Sequence, residues 1–416
     1  MPIFSPQARF RINSEWKDYA LAMQSLVFGY GDSVSRNEFE RAVAEKVGVK
    51  HAICTAQARV AIYLTFRFLI APGDEVILSP NTIADVINMV IVSGGKPVFC
   101  DIEPSTGNID PERVEACLTP RTRAVFATHL YGLVAPMQRL RDICAKHQLL
   151  LIEDAAQAFG AKQDGINVGA LSEAGIFSFG MAKNLMSFWG GMIVTNNDEL
   201  ARNIRNIIDG WPVISRKKLA KKVFSCFVKD VATLNIVFGP LLFPLFRMAY
   251  RNNISSITRL MESELDLSRK EHFPTAYEEQ LSPLQAKIAL SKLYRVEDDF
   301  SHRLACARLY YEGLKDIEQL TLPPMLENGS HVYNYYPIGC DERTAFRQYL
   351  LEQRRDIALQ HIKNTADLSA FKDFYRDCPH TRKWAMRTLM FPNYSRYPLS
   401  EVEKNVAAIR AFFGRK

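Results

Sequence analysis

Four residues of this chain fall where apolar runs stop, and each brings a reactive or charged group. Leu149-Leu150-Leu151-Ile152-Glu153-Asp154 is apolar until its last two residues. A carboxylate ending a buried strand is costly unless a cation meets it. Beside it, Ala155 and Ala156 clear room for a flat ring. An aspartate against a pyridine nitrogen keeps that nitrogen protonated and the ring a good electron sink. Taken alone, Asp154 equally fits the cap of a following helix. Lys183 lies just past the apolar run Ile176-Phe177-Ser178-Phe179, among Gly180, Met181, Ala182 and Leu185. Desolvation lowers a lysine pKa and makes the amine a nucleophile for aldehydes, although a single lysine reads more simply as a surface residue. Ser178 places a hydroxyl at a strand end, suited to a phosphate. Thr55 precedes a helix predicted from Ala56, and a helix N-terminus binds phosphate. Together Asp154, Lys183, Ser178 and Thr55 make a site for a molecule that is at once an aldehyde, a pyridine and a phosphate.

The elements that must position them alternate in type between residues 50 and 210. Strands are predicted at 51–54, 75–78, 97–102, 124–129, 149–154, 176–179 and 192–195, with helices from Ala56 to about Leu69 and from Thr82 to Val92. Continuous apolar strands separated by helices predict an α/β fold with a mainly parallel sheet covered on both faces. In such sheets ligands bind at the carboxyl ends of the strands, where Thr55, Asp154 and the residues after Phe179 stand. Beyond about 297 the pattern changes to a helix over Asp298–Leu314, a strand over Val332–Ile338, and helices over Arg343–Gln353 and Ser400–Phe413. The expected division is a large domain over 1–260 and, over 261–416, a linking helix with a smaller C-terminal α/β domain.

Composition narrows the class further. The chain has 416 residues, 48% hydrophobic and 23% charged, as in globular proteins with ample core material. A net charge of +7 is too weak to argue for nucleic acid. The eight cysteines form no CxxC pair and lie mostly in apolar runs, which argues against a metal site and for buried thiols in a reducing compartment. Met1-Pro2-Ile3-Phe4-Ser5 lacks the charged and apolar regions of a signal peptide, so the cytoplasm is expected. Residues 213–260 are unusual. Leu219, Val223, Phe224, Phe227, Val228 and Val231 recur at helical spacing beside Lys217, Lys218, Lys221, Lys222 and Lys229. The apolar stretch 236–246 follows, interrupted by Gly239, Pro240 and Pro244 and read as a loop. This is either a core-packed or dimer-interface insertion, or a basic amphipathic element lying on an anionic membrane.

The stretch Ile152 to Asn196 resembles the pyridoxal-phosphate-dependent (PLP) sugar aminotransferases of the DegT/StrS group, which are fold-type-I enzymes. The shared runs are Glu153-Asp154-Ala155-Ala156-Gln157-Ala158, Phe177-Ser178-Phe179, Lys183-Asn184, Gly190-Gly191-Met192 and Val194-Thr195-Asn196. Further likeness lies in Glu38-Phe39-Glu40, Pro72-Gly73-Asp74-Glu75-Val76, His129-Leu130-Tyr131-Gly132 and Leu389-Met390-Phe391-Pro392, leaving out roughly 213–260. The resemblance implies a three-layer αβα domain and a homodimer. It implies that Lys183 holds the cofactor as an imine and shuttles a proton, and that Asp154 pairs with the pyridine nitrogen. Gln157 would lie near the phenolic oxygen, Ala156 against the ring, and Ser178 with Thr55-Ala56-Gln57 around the phosphate. It implies ping-pong transfer from L-glutamate to a keto-sugar, commonly nucleotide-linked.

Four positions depart from that pattern. The aromatic residue usually stacked on the cofactor corresponds to Ile83. An Asn-Tyr-Arg motif used across a dimer interface falls near Glu278-Glu279-Gln280, whose carboxylates would repel an anion. The Asn of an Arg-Asn-His-Gly stretch corresponds to Ile208, and an acidic residue before the glycine pair to Trp189. Three other functions remain open: a non-catalytic regulator, an aminotransferase for a lipid-linked or other non-sugar ketone at a membrane, and a sugar dehydratase. Dehydratases of this group carry histidine in place of the lysine, which Lys183 opposes.

Overall fold

The computed structural model describes residues 6–30, 34–252, 254, 266–326 and 330–414. Strand runs apolar on both faces need two covers, and they have them. The central sheet contains β1 (His51–Thr55), β2 (Glu75–Leu78), β3 (Lys96–Phe99), β4 (Thr122–Thr128), β5 (Leu150–Asp154), β6 (Ala174–Ser178) and β7 (Gly191–Thr195). Their order is β1-β7-β6-β5-β4-β2-β3. Strands β2 to β6 are parallel, and β7 runs antiparallel to both its neighbours.

The helices are α1 (Trp16–Phe28), α2 (Val34–Val47), α3 (Ala58–Leu69), α4 (Ala84–Val92), α5 (Met137–His147), α6 (Asp198–Asp209), α7 (Arg216–Ala232), α8 (Phe243–Arg251), α9 (Pro283–Leu293) and α10 (Val296–Leu314). One apolar cluster joins the sheet to α2, α5 and α9 through Phe39, Leu140 and Ala289. Another joins its opposite face to α3, α4 and α6 through Leu64, Ile87 and Ile204. This is the expected three-layer arrangement. A second, antiparallel sheet follows, of β8 (Tyr336–Gly339), β9 (Ala358–Leu359) and β10 (Thr388–Phe391), ordered β8-β10-β9. It shares a core with α10, α11 (Arg343–Glu352) and α13 (Leu399–Phe413), after α12 (Pro379–Arg387).

Several local expectations are corrected. The strand expected over Val332–Ile338 begins only at Tyr336. Before it, Val332 N–H donates to Gly132 O at 2.9 Å, Tyr335 N–H donates to Tyr131 O, and Tyr333 has φ +43°, so this backbone serves the large domain instead. The strand expected to reach Ile102 stops at Phe99, and α4 starts at Ala84, two residues after Thr82. The apolar stretch 236–246 is mostly helical. Phe238–Leu242 forms a wide π turn around Gly239 and Pro240, and Pro244 lies in the first turn of α8, where its missing N–H costs nothing. Met1 to Ser5, Asn253, residues 255–260 and the 260/261 boundary lie outside the described residues. Among the described residues no single helix is long and apolar enough to cross a membrane.

Candidate active site

Parallel strands end at the same edge of the sheet, which brings Asp154, Ser178 and Thr55 to one side. Asp154 closes β5, in register with Ile176 of β6. Its Oδ1 accepts the Ala156 N–H at 3.1 Å, and it forms no ion pair among the described residues. Ser178 closes β6, half-buried, with no hydrogen-bond partner for its hydroxyl among the described residues. Thr55 is fully buried at the end of β1, and its hydroxyl donates to Gln57 O at 2.8 Å. That bond turns the chain, so α3 begins at Ala58 with Gln57 as an extended cap, not at Ala56 as expected. The Thr55 hydroxyl therefore shapes the helix start, and the N–H groups of Ala56 and Gln57 are left without acceptors among the described residues.

Gly191 keeps this helix start accessible. A Cβ there would lie 2.4 Å from Ala58 N and 2.5 Å from Gln57 C. At Gly180 a Cβ would lie 3.6 Å from Ser178 Oγ and 3.8 Å from Lys183 Cγ, so the serine hydroxyl and the lysine stem flank one small space.

Lys183 follows β6 in a turn closed by its own N–H donating to Gly180 O. Its side chain makes no hydrogen bond or ion pair among the described residues. Burial pulls its pKa down to about 8, against the opposing charge of Asp154. Burial likewise raises the Asp154 pKa, while the Ala156 N–H and Lys183 pull it back. With its pKa drawn down to about 8, the amine offers far more of its uncharged, nucleophilic form near neutral pH than a free lysine does, and can condense with an aldehyde, while the buried carboxylate can hold a cationic ring nitrogen.

The other expected residues line this region with different partners. Gln157 Oε1 accepts the Tyr131 N–H at 3.0 Å. Tyr131 is left-handed at φ +60°, and a Cβ on the adjoining Gly132 would lie 2.8 Å from Asn334 N. Ala156 is half-buried. Ile83 caps α4 and packs at the seam between the large-sheet cluster and the small-domain cluster.

Sequence reasoning missed the residues that hold the Lys183 turn. Asn334 Nδ2 donates to Ala182 O at 3.2 Å, and Asn13 Nδ2 donates to Asn184 O at 3.0 Å. Buried Arg303 donates to the carbonyls of Asn334 and Asn393. His361 was also missed. Burial and the charge of Lys183 push its pKa down to about 4, so it stands neutral beside the amine. These residues come from distant segments and carried no local signal. His129 lay in a quoted run but without a role. Its Nδ1 accepts Ala135 N–H, so Nε2 carries the hydrogen and donates to Glu153 Oε2, whose carboxylate also accepts from Gly169, Leu171 and Ser172.

The departures are satisfied structurally. Ile208 is core. Trp189, at φ +79°, presents its carbonyl to Gln285 Nε2 at 2.7 Å. Glu279 pairs with Lys218 of α7 at 2.7 Å, so the repulsion expected of that carboxylate is offset by a cation. Gln280 is buried, donating to Trp211 O.

The sequence matches the DegT/DnrJ/EryC1/StrS aminotransferase family over residues 13–229 and 251–410. The chain belongs to that family. It is 30% identical to a GDP-perosamine synthase from Caulobacter vibrioides over 80% of this chain and 76% of the relative. It is 28% identical to the spore coat polysaccharide biosynthesis protein SpsC of Bacillus subtilis, over 90% and 88%. A solved Bacillus subtilis structure described with bound cofactor PMP superposes with a TM-score of 0.74 at 22% identity, covering all of this chain and 85% of the other. The protein is thus a transaminase of fold type I, with pyridoxal phosphate as cofactor. The residues fit that group: among the described residues the Asp154 carboxylate accepts a single hydrogen bond, the buried Lys183 amine and the Ser178 hydroxyl have no partner, and the Ala56 and Gln57 amides beside Gly191 have no acceptor.

Proposed function

We propose that this enzyme moves an amino group from L-glutamate to a keto-sugar, carried on a nucleotide, by a two-stage reaction in which one substrate leaves before the next binds. The observation that carries the reading is the buried Lys183 amine, its pKa drawn down to about 8 and acted on by the charge of Asp154, in the turn that follows Ser178 at the edge where β5 and β6 end. Bound pyridoxal phosphate supplies an aldehyde and an electron-withdrawing ring. Asp154 keeps the ring nitrogen cationic, and Ala156 and Ile83 give it apolar walls. Gln157 orients the phenolic oxygen, while Ser178 and the Ala56 and Gln57 amides hold the phosphate. Lys183 Nζ takes the proton from the amine-bearing carbon of the donor and returns one to the acceptor.

The sugar acceptor rests on the relatives, among them the GDP-perosamine synthase. The resemblance supports a homodimer. Eight free, buried cysteines support a reducing compartment, with the cytoplasm as the proposed location. To test the reading, cofactor-loaded protein is mixed with L-glutamate, and 2-oxoglutarate and the visible absorbance band are followed. One equivalent of 2-oxoglutarate should appear as the band fades, and a nucleotide-linked keto-sugar should restore it. Production of 2-oxoglutarate by Lys183→Ala at the wild-type rate, or restoration by no keto-sugar in a panel, sinks the proposal.

A further inference from the structure

The family match stops at Lys229 and resumes at Arg251, so residues 230–250 have no counterpart in it. Within that gap Arg247 balances Asp230, and the charge lies on its flanks, chiefly on the helix that leads into it. From Arg216 to Arg251 there are eight Lys and Arg against one acidic residue, Asp230, so this segment carries a net +7, the whole formal charge of the protein. Asp230 does not weaken the outward field. It is buried, accepting from Arg11 and Ser14.

The same segment exposes apolar surface. Helix α7 anchors one side through Leu219, Val223 and Cys226, while α8 and the turn before it are held by Phe238 and Phe243 against Ala8 and Leu351. On the outward side Phe224 is 66% exposed, Ile236 64% and Leu241 65%, with Val228, Leu245 and Met248 also exposed. Lys217, Lys221, Phe224 and Val228 recur at helical spacing along one exposed face of α7. Trp16 of α1, 63% exposed, meets Phe227 edge-on with ring centroids 6.1 Å apart, which extends the apolar surface onto a second helix. The two halves, Arg216–Ala232 and Asn235–Arg251, bend by 62°.

Exposed aromatic and aliphatic side chains beside Lys217 and Lys221, which form no ion pair among the described residues, suit the boundary between lipid headgroups and acyl chains, where each kind of group finds its own medium. A protein partner would have to be both apolar and strongly acidic to match. We infer that α7, α8 and the Trp16 end of α1 form a docking surface for an anionic lipid bilayer, which would hold the enzyme peripherally at a membrane. The inference stands on this surface alone and is independent of the catalytic reading.

The test is co-sedimentation of the cofactor-loaded, full-length protein with vesicles of phosphatidylcholine alone or mixed with phosphatidylglycerol. Wild type should pellet with the anionic vesicles, stay largely in solution with neutral ones, and be released as salt rises. Two variants separate the contributions: Phe224→Ser with Ile236→Ser and Leu241→Ser, and Lys217→Glu with Lys221→Glu. Each should lower the bound fraction at least tenfold while the glutamate half-reaction and the mass in solution stay as in wild type. Failure of wild type to bind anionic vesicles overturns the inference, as does undiminished binding by both variants. A fall in mass in the serine variant overturns it in favour of a second copy of this chain as the occupant.

Discussion

Lys183, in the turn after β6, lies close enough to Asp154, at the end of the neighbouring strand β5, for each charge to act on the other, yet the two form no ion pair. Burial pulls both toward their uncharged forms, which suits an amine that would condense with an aldehyde and a carboxylate that would meet a cationic ring nitrogen. Asp154→Asn should keep Lys183 reactive toward the cofactor but remove the charge that holds a ring nitrogen protonated. The loaded variant should retain a visible band while the glutamate half-reaction slows by roughly 100-fold, about 2.7 kcal/mol of barrier. Stopped-flow absorbance decides this, and an unchanged rate would remove Asp154 from the chemistry.

The lowered Lys183 pKa also affects stability. The folded value is about 8 and the free value 10.5, so between these the unfolded chain binds a proton that the folded chain does not. Stability of the cofactor-free protein therefore rises with pH across that window, and the full penalty is present below pH 8. Lys183→Met escapes the penalty. It should be more stable than wild type at pH 7, by on the order of 1–3 kcal/mol given partial solvent access, and the gap should close toward pH 10. Urea titrations at several pH values measure it, and a gap constant with pH contradicts the assignment.

Two glycines in the same region should respond differently to alanine. At Gly191 the added methyl meets backbone atoms of Ala58 and Gln57 that cannot give way, whereas at Gly180 it meets ordinary contacts with Ser178 and Lys183. Gly191→Ala should destabilise the protein by about 1–3 kcal/mol and weaken cofactor retention on dialysis. Gly180→Ala should fall within about 1 kcal/mol of wild type. Equal behaviour of the two would mean that the start of α3 is not confined by β7.

Asn334, on the segment whose backbone is bonded to the Tyr131–Gly132 turn, reaches the Ala182 carbonyl, one peptide from the reactive lysine. Removing it should loosen the Lys183 turn without disturbing the residues that hold the phosphate. Asn334→Ala is expected to lower kcat by roughly 10- to 100-fold through misplacement of the amine, with KM for glutamate changed little. A drop in cofactor content that accounts for the whole loss would point instead to a folding defect.

The site was legible where strands end. Apolar runs stopping at Asp154 and Ser178 could be placed without coordinates, because a parallel sheet aligns its strand ends at one edge. The helix start at Thr55 was displaced by two residues because a side-chain hydroxyl bond to Gln57 O outweighs local helix preference. The segment 332–338 was misread because its alternating aromatic residues look like a strand, while its backbone bonds go to the Tyr131–Gly132 turn.

By itself, then, the order of residues determined the layered fold, the lysine, its opposing carboxylate and the unusual charge of residues 216–251, since burial pattern and charge are properties of consecutive positions. Tertiary structure alone decided that Asn13 and Asn334 clamp the Lys183 turn, that His361 stands neutral beside it, that Lys218 offsets Glu279, and which face of α7 turns outward. Those outcomes depend on desolvation and on contacts between segments far apart in the chain. Neither leaves a trace in local spacing, because burial of a group is set by every element that folds over it.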